Sequence, residues 1–490
     1  MKKNWYLLSA VFLYLATRLI NLVKFPIFAD EAIYIRWSQI MWHDATQRFM
    51  PLADGKPPLH MWLLIPFLKV FSDPLLAGRL FSVFSGLFSL IGIWFLIKEL
   101  FNRKSAYLAV FLYVFLPFSL IYDRMALTDS FLLAIMIWFL YFLVKLLKKP
   151  ALDVAMVTGI LLGMAFLTKP TGLFFLMFLP CSLVLYSGKK KKEAKRFLIY
   201  FLVVVLFGGA MYMILMLSPL FGSILRRSKE YTFSIEEFMG APFYTLNLTL
   251  GKIIPWSFRY FTFFVMGMFF VGNIYAVLKK NRQMIFLILI FYLFFVVNAV
   301  FGRVIYSRYF LVFLPSVIGL SCFMFWEMVE KYGKRVLYLL LILFFVPCFW
   351  FDFFLIFKPL ETPFAPFDRE QYLTSWSCGV GIREIAYYFK NQEGKDKIYV
   401  VTEGFFGTLP DGLAIYLNNY GIGVEGVGVP IAGISEEMFK KIDEGYKAYM
   451  VVNNTRKKFD DPRTEVVLEF AKPEGEDGSV EKLMLLKINK

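Results

Sequence analysis

Long apolar runs separated by short basic loops fill the chain from residue 5 to residue 357, and no other feature restricts its possible folds so severely. Inside hydrocarbon every backbone polar group must find its partner within the protein, so a run without strand-like alternation crosses a bilayer as a helix. About 20 apolar residues span a core about 30 Å thick. Hydrophobic residues make up 59% of the 490 and the mean hydropathy is +0.61, more apolar surface than soluble domains of ordinary size can bury. Eleven runs qualify, centred near residues 14, 87, 113, 136, 160, 179, 207, 268, 292, 317 and 345. The first follows Met1-Lys2-Lys3, exceeds a signal-peptide core and lacks a small-residue cleavage site, so it is predicted to be a retained span. The fold class is therefore a polytopic α-helical membrane protein with about eleven transmembrane helices.

The loops orient it. Met1-Lys2-Lys3, "KELFNRK" (98–104), "KLLKKP" (145–150), "GKKKKEAKR" (188–196), "KKNRQ" (279–283) and "EKYGKR" (330–335) alternate along the chain and are all basic, which assigns them and the N-terminus to the cytoplasm. Residues 358–490 hold 17 of the 53 Lys and Arg and 21 of the 37 Asp and Glu, leaving 36 basic and 16 acidic residues in 1–357. The net +16 is thus a topology signal with an attraction to anionic membrane lipids, not a nucleic-acid footprint. An odd number of spans places the C-terminal segment outside, across a plasma membrane.

Three elements then face outward: residues 24–76, residues 218–258 and a domain at 358–490. The first intermixes aromatic and charged residues in "DEAIYIRWSQIMWHD" and "PPLHMWLLIPFLKVF", a pattern for helices lying in the interface. The last alternates helix-like "GIREIAYYFKNQ" and "PDGLAIYLNNY" with strand-like "KIYVVTE", "AYMVVNN", "TEVVLEF" and "KLMLLKI". That is a small α/β domain, expected to cover the site or bind the acceptor. Its Gly-rich "EGFFGTLPDGLAIYLNNYGIGVEGVGV" has no GxGxxG between a strand and a helix, which argues against a nucleotide cradle.

Charges at the ends of membrane helices are the first candidates for function. On the predicted outer side these are Asp30 and Glu31 in "FADEAIYIRW", Lys56 in "GKPPLH", Arg79, Asp123, Arg124 and Asp129 in "YDRMALTDSF", Lys169 in "LTKPTG", Arg259, Arg303 and Arg308. A carboxylate can take the proton of an attacking hydroxyl while Lys and Arg neutralise a departing phosphate. Such cations also serve as snorkelling anchors, and Glu31 also suits pairing with Arg36 or the start of a helix. Two histidines, His43 and His60, cannot build a His-rich metal centre or a catalytic triad, and four dispersed cysteines suggest neither disulfides nor a CxxC site.

"ADEAIY", "GKPPLHMW", "GRLFSVFSG", "YDRMALTDSF", "GMAFLTKPTG" and "SRYFLVFLP", in this order over residues 10–325, resemble the GT-C fold membrane glycosyltransferases. The similarity is to the superfamily of protein O-mannosyltransferases and aminoarabinose lipid A transferases. It implies an inverting transferase that takes a sugar from a polyprenyl-phosphate donor to a lipid, glycan or protein acceptor on the outer face. On it, Asp30 matches the catalytic acid, Glu31 its neighbour and Asp129 the second acid. Lys56 and Lys169 match the donor-phosphate lysines, with Arg308 beside them, and Tyr309 matches the aromatic residue opening a later span. Tyr34 and His60 are expected to line the substrate. Gly55 stands where the aminoarabinose transferases carry a glutamate that resembles a metal ligand. Two or three cations can offset a lipid monophosphate of about −1.5 to −2 charge without a metal, so no metal or other cofactor is expected.

The rival readings are a transporter or flippase for an anionic lipid, which would show inverted repeats with broken helices, and a ligase using a diphosphate-linked glycan. "NLT" (247–249) and "NNT" (453–455) fit the glycosylation sequon. Trp37, Trp42 and Trp62 suit packing, and their ring faces also suit stacking on a sugar.

Overall fold

The computed structural model describes residues 5–186, 191–392 and 397–490, so the start of the basic run at 188–196 falls outside the described residues. The first helices are α1 (Trp5–Leu19), α2 (Ala29–His43), α3 (Leu59–Val70), α4 (Pro74–Leu100), α5 (Arg103–Phe115), α6 (Pro117–Asp123), α7 (Thr128–Lys148) and α8 (Leu152–Thr168). Later helices are named by their residues. The chain divides into two compact units.

The first unit holds residues 1–20, 45–63 and 81–356 and is helical. Six helices, α4, α7, Lys195–Leu217, Arg282–Phe301, Ser307–Tyr332 and Lys334–Phe357, are long and apolar enough to cross a membrane. Two further spans result if the bent pairs α5 with α6 (58°) and Pro242–Tyr260 with Phe263–Leu278 (111°) each count as one. The protein is a multi-pass membrane protein. The other three predicted runs form the shorter helices α1, α8 and Pro170–Leu185. All eleven runs are therefore helical, while length and composition support six to eight spans among the described residues. Proline accounts for part of the difference. Leu116, before Pro117, is extended with ψ 124° and ends α5, and Lys169, before Pro170, is extended with ψ 143° and ends α8. α2 and α3 have 15 and 12 residues, too few to span, as an interfacial reading requires.

Close helix packing is written into "GILLG". A Cβ on Gly159 would lie 2.7 Å from Phe207 Cβ and 2.8 Å from the Val204 carbonyl, and one on Gly163 would lie 2.6 Å from Met211 Cβ. Small residues four apart thus let α8 approach the helix Lys191–Tyr212 at backbone distance.

The second unit comprises residues 21–44, 64–80 and 357–490. Two parts of the first loop join it through contacts that no reading along the chain reveals. Strand β1 (Ile27–Phe28) pairs antiparallel with β2 (Cys378–Gly379), Gln39 Nε2 donates to the Ile415 carbonyl at 2.9 Å, and Arg383 pairs with Asp73 at 2.6 Å. Five strands form the main sheet: β3 (Ile398–Thr402), β4 (Gly423–Gly426), β5 (Lys447–Asn453), β6 (Thr464–Ala471) and β7 (Lys482–Ile488), in the order β4-β3-β5-β7-β6. β4, β3 and β5 run parallel, linked by the helices Asp411–Leu417 and Glu436–Asp443, and β5, β7 and β6 are antiparallel. Val401, Met438, Ala448, Met450, Val452, Leu486 and Ile488 form a core of this domain.

Gly159→Val is expected to cost about 1–3 kcal/mol, as over-packing does in cores, and to lower the unfolding midpoint in detergent. An unchanged midpoint would contradict the close approach.

Candidate active site

In the second unit the start of α2 carries Asp30 and Glu31 in its first turn, where a helix favours negative charge. The two acids differ. Glu31 is fully buried: Oε1 accepts from Arg79 Nε at 2.9 Å, and Oε2 accepts from Arg79 Nη2 at 2.8 Å and from the Phe28 backbone N–H at 3.0 Å. Arg79 also donates to the carbonyls of Leu22, Phe25 and Pro26. One guanidinium thus gathers the whole approach to α2. The Ala29 N–H donates to the Ser377 carbonyl at 3.0 Å. Asp30, next in the chain, is half-buried. Tyr34, one turn on, is buried with its ring 6.1 Å from that of Trp37.

In the first unit four of the sequence-predicted residues meet. Asp129 sits in the first turn of α7 and Lys169 caps the C-terminus of α8, each at the helix end that favours its charge. Lys169 Nζ lies 2.5 Å from Asp129 Oδ1 and 4.2 Å from the centre of the Tyr309 ring. Arg308 Cζ stands 4.4 Å over the Tyr306 ring and 5.8 Å from the Tyr309 ring. Ser307, preceding them, shares a hydrogen bond with Tyr122 at 2.5 Å. Two cations, two aromatic faces and one carboxylate therefore form a single cluster.

Lys56 belongs to a second cationic group. It lies 3.1 Å from Asp54 Oδ2, and Asp54 also pairs with Arg227 of the helix Ser223–Tyr231. Its two carboxylate partners, Asp54 and Glu230, hold the Arg227 pKa above the usual guanidinium range. Gly55 between them has φ 69°, and a Cβ there would lie 2.8 Å from Arg227 Cβ. The loop is seated by an apolar cluster of Leu52, Leu167, Leu215 and Ile224, two residues from Lys169. His60 is buried, its ring 5.0 Å from that of Phe81 and 6.4 Å from that of Phe131.

Sequence reasoning missed Asp54 and Arg227, whose signal is an acid before a turn glycine and a basic run in the predicted outer element 218–258. It also grouped Asp123 and Arg124 with Asp129, and the structure gives them different partners. Asp123 is buried, accepting from Arg18 Nη2 at 3.3 Å, Tyr113 at 3.2 Å and Ser130 at 2.7 Å. Arg124 donates to the Thr17, Arg18 and Ile20 carbonyls at the end of α1. These two hold helices together.

Among the described residues no group of three or more His, Cys, Asp and Glu side chains is placed to hold a metal ion. Glu31, Asp54 and Asp129 each face a basic side chain instead.

Residues 55–221 match the family model of the dolichyl-phosphate-mannose-protein mannosyltransferases. No curated protein matches the sequence. Among solved structures, ArnT from Cupriavidus metallidurans bound to undecaprenyl phosphate superposes with a TM-score of 0.58 at 14% identity, covering 98% of this chain and 97% of that one. The oligosaccharyltransferase AglB from Archaeoglobus fulgidus, with an inhibitory peptide and a dolichol-phosphate, gives 0.59 at 12% identity over 98% and 74%. An Archaeoglobus fulgidus oligosaccharyltransferase in complex with Zn and sulfate gives 0.57 at 13% over 91% and 68%. The fold is that of the GT-C membrane glycosyltransferases. The "ADEAIY", "TDS", "TKPTG" and "SRYF" stretches each stand at the end of a helix.

Arg79→Ala would leave Glu31 as an uncompensated buried charge and is expected to cost about 3–5 kcal/mol in stability. Asp30→Asn, at a half-buried position, is expected to cost about 1 kcal/mol. Chemical denaturation of both variants measures the contrast, and equal losses would refute the division of labour.

Proposed function

We propose that this protein is an inverting glycosyltransferase that moves a sugar from a polyprenyl-phosphate donor to an acceptor hydroxyl on the outer face of the membrane, with its N-terminus in the cytoplasm. The observation that carries the reading is the cluster of Lys169 and Arg308 on the Tyr306 and Tyr309 rings beside Asp129. A leaving lipid phosphate carries about −1.5 to −2 charge, which Lys169 and Arg308, with Lys56 and Arg227, are equipped to hold. Supporting it further, the ArnT and AglB structures of the same fold bind undecaprenyl phosphate and dolichol-phosphate.

Asp30 is assigned the general base. The acceptor oxygen attacks the anomeric carbon from the face opposite the phosphate, its proton passing to the Asp30 carboxylate. The bond from that carbon to the phosphate oxygen breaks with its electron pair on the phosphate. The products are the glycoside with inverted configuration and free polyprenyl phosphate, and Asp30 returns its proton to water. Glu31 is assigned the positioning of Asp30 rather than a proton transfer, since its oxygens are engaged by Arg79 and the Phe28 N–H. Asp129 orients Lys169, and Tyr34, His60 and Tyr309 are assigned to the substrate lining. No step is routed through a metal.

Release of polyprenyl phosphate from a panel of polyprenyl-phosphate sugars, with and without EDTA, tests the assignment. Asp30→Asn is expected to lower turnover by about 10²–10⁴-fold, the loss typical of a general base, and EDTA to leave it unchanged. Wild-type turnover in Asp30→Asn, or loss in EDTA restored by Mg2+ or Mn2+, would overturn the corresponding role.

A further inference from the structure

Four polar side chains gather at one end of the main sheet of the second unit: Glu403 directly after β3, Asn453 at the end of β5, Lys472 directly after β6 and Glu481 directly before β7. The register brings these strand ends together, with Asn453 opposite Leu483 and Ala471 opposite Lys482. Lys472 is the costly member. Its side chain is 1% exposed, and its three ammonium donors go to Glu481 Oε2, Asn453 Oδ1 and the Ser375 carbonyl, each at 2.9 Å. A buried charge pair adds little to stability over apolar side chains of the same volume. What it supplies is a fixed position.

Two of the three acceptors belong to the sheet, and the third belongs to the segment 375–379 outside it. Trp376 in that segment is held as well, with Arg456 Cζ 4.3 Å from its ring and Arg456 paired at 3.5 Å with Glu403. Glu403 in turn accepts from the Asn453 backbone N–H and Nδ2 at 2.8 and 2.7 Å. The carboxyl ends of the parallel strands β3 and β5, where open α/β sheets usually take a ligand, thus grip a piece of the protein's own chain.

That piece leads to α2. The Ser375 carbonyl also accepts from the Cys378 N–H at 3.0 Å, β2 pairs with β1, and the Ser377 carbonyl accepts from the Ala29 N–H at 3.0 Å. The pairing is tight, since a Cβ on Gly379 would lie 2.4 Å from Ile27 Cγ2 and 2.8 Å from the Ile27 carbonyl. Asp30 follows Ala29. Arg79 holds the loop before β1, and the segment 375–379 holds β1 and the first residue of α2.

We propose that the C-terminal domain positions the candidate base, with Lys472 fixing Ser375 and the segment 375–379 carrying that position through Ile27–Ala29 to the Asp30 carboxylate. Lys472 is a positioning residue and acts only through this link. Its effect on turnover rests on the glycosyl-transfer reading above, and the link itself does not.

Hydrogen exchange and turnover, measured on the full-length protein in detergent for wild type, Lys472→Met and Gly379→Ala, test it together. A peptide covering Ile27–Glu31 reports the Ala29 N–H, and both variants are expected to speed its exchange about tenfold while β3 exchanges as in wild type. With a polyprenyl-phosphate sugar that wild type turns over, kcat is expected to fall about 10–10²-fold, the cost of a misplacement of about 1 Å, at unchanged donor KM. Neither substitution should lower the residual rate of Asp30→Asn any further, because residues acting as one unit are not additive. Gly379→Ala works at the far end of the link and leaves the polar network of the sheet intact, so it decides the matter if Lys472→Met does not fold. Unchanged exchange, full kcat despite faster exchange, or the same fold-loss in the Asp30→Asn background as in wild type would overturn the positioning role. Faster exchange in the variants of a protein whose wild type releases no polyprenyl phosphate from any donor would keep the link and sink the transferase reading.

Discussion

The buried pair of Glu31 and Arg79 is the constraint on which the arrangement of the candidate base depends. Two opposite charges with no exposure to water survive only when their hydrogen bonds are nearly complete. Here they are: three backbone carbonyls and two carboxylate oxygens surround one guanidinium, and the Phe28 N–H completes the carboxylate. The pair therefore sets the direction in which the chain enters α2. A base beside such an anchor needs little reorganisation at the moment of reaction, the condition under which proton transfer and orientation contribute most. On the proposed mechanism, two adjacent acids serve two purposes, one that holds and one that reacts.

The cationic cluster follows a related logic. Lys169 is placed by a helix end, a proline that stops the helix, an acid partner and a tyrosine face, and Arg308 by two tyrosine faces. Aromatic faces favour a cation without neutralising it, and Asp129 fixes the position of the Lys169 ammonium. At Gly55 a side chain would collide with Arg227.

Much of this was legible in the sequence, for identifiable reasons. Apolar runs report helices because hydrocarbon demands internal hydrogen bonding, and all eleven are helical. Span length was less legible, since Pro117 and Pro170 break helices that composition alone reads as continuous. Asp129, Lys169 and Arg308 were visible as charged residues at helix ends and Tyr309 through the family resemblance, and they meet. The bond from Glu31 to Arg79 was not visible, because its partners stand 48 residues apart and nothing local distinguishes Arg79 from an anchor. In the C-terminal region alternation marked β3, β5, β6 and β7, while β4 lies in "GVEG", whose glycines read as loop. The helix Glu436–Asp443 starts at Ser435, whose side chain accepts from the Met438 N–H, a cap signal that was present and unread.

The central claim is displacement at an anomeric carbon by a hydroxyl deprotonated on the opposite face. The anomeric configuration of the product, read by NMR from a donor labelled with 13C at C1 and followed to completion with the purified protein, tests it most directly. The account predicts a single product of inverted configuration, formed in equal amount with free polyprenyl phosphate. A product of retained configuration would require a covalent or front-face path and would contradict the role given to Asp30.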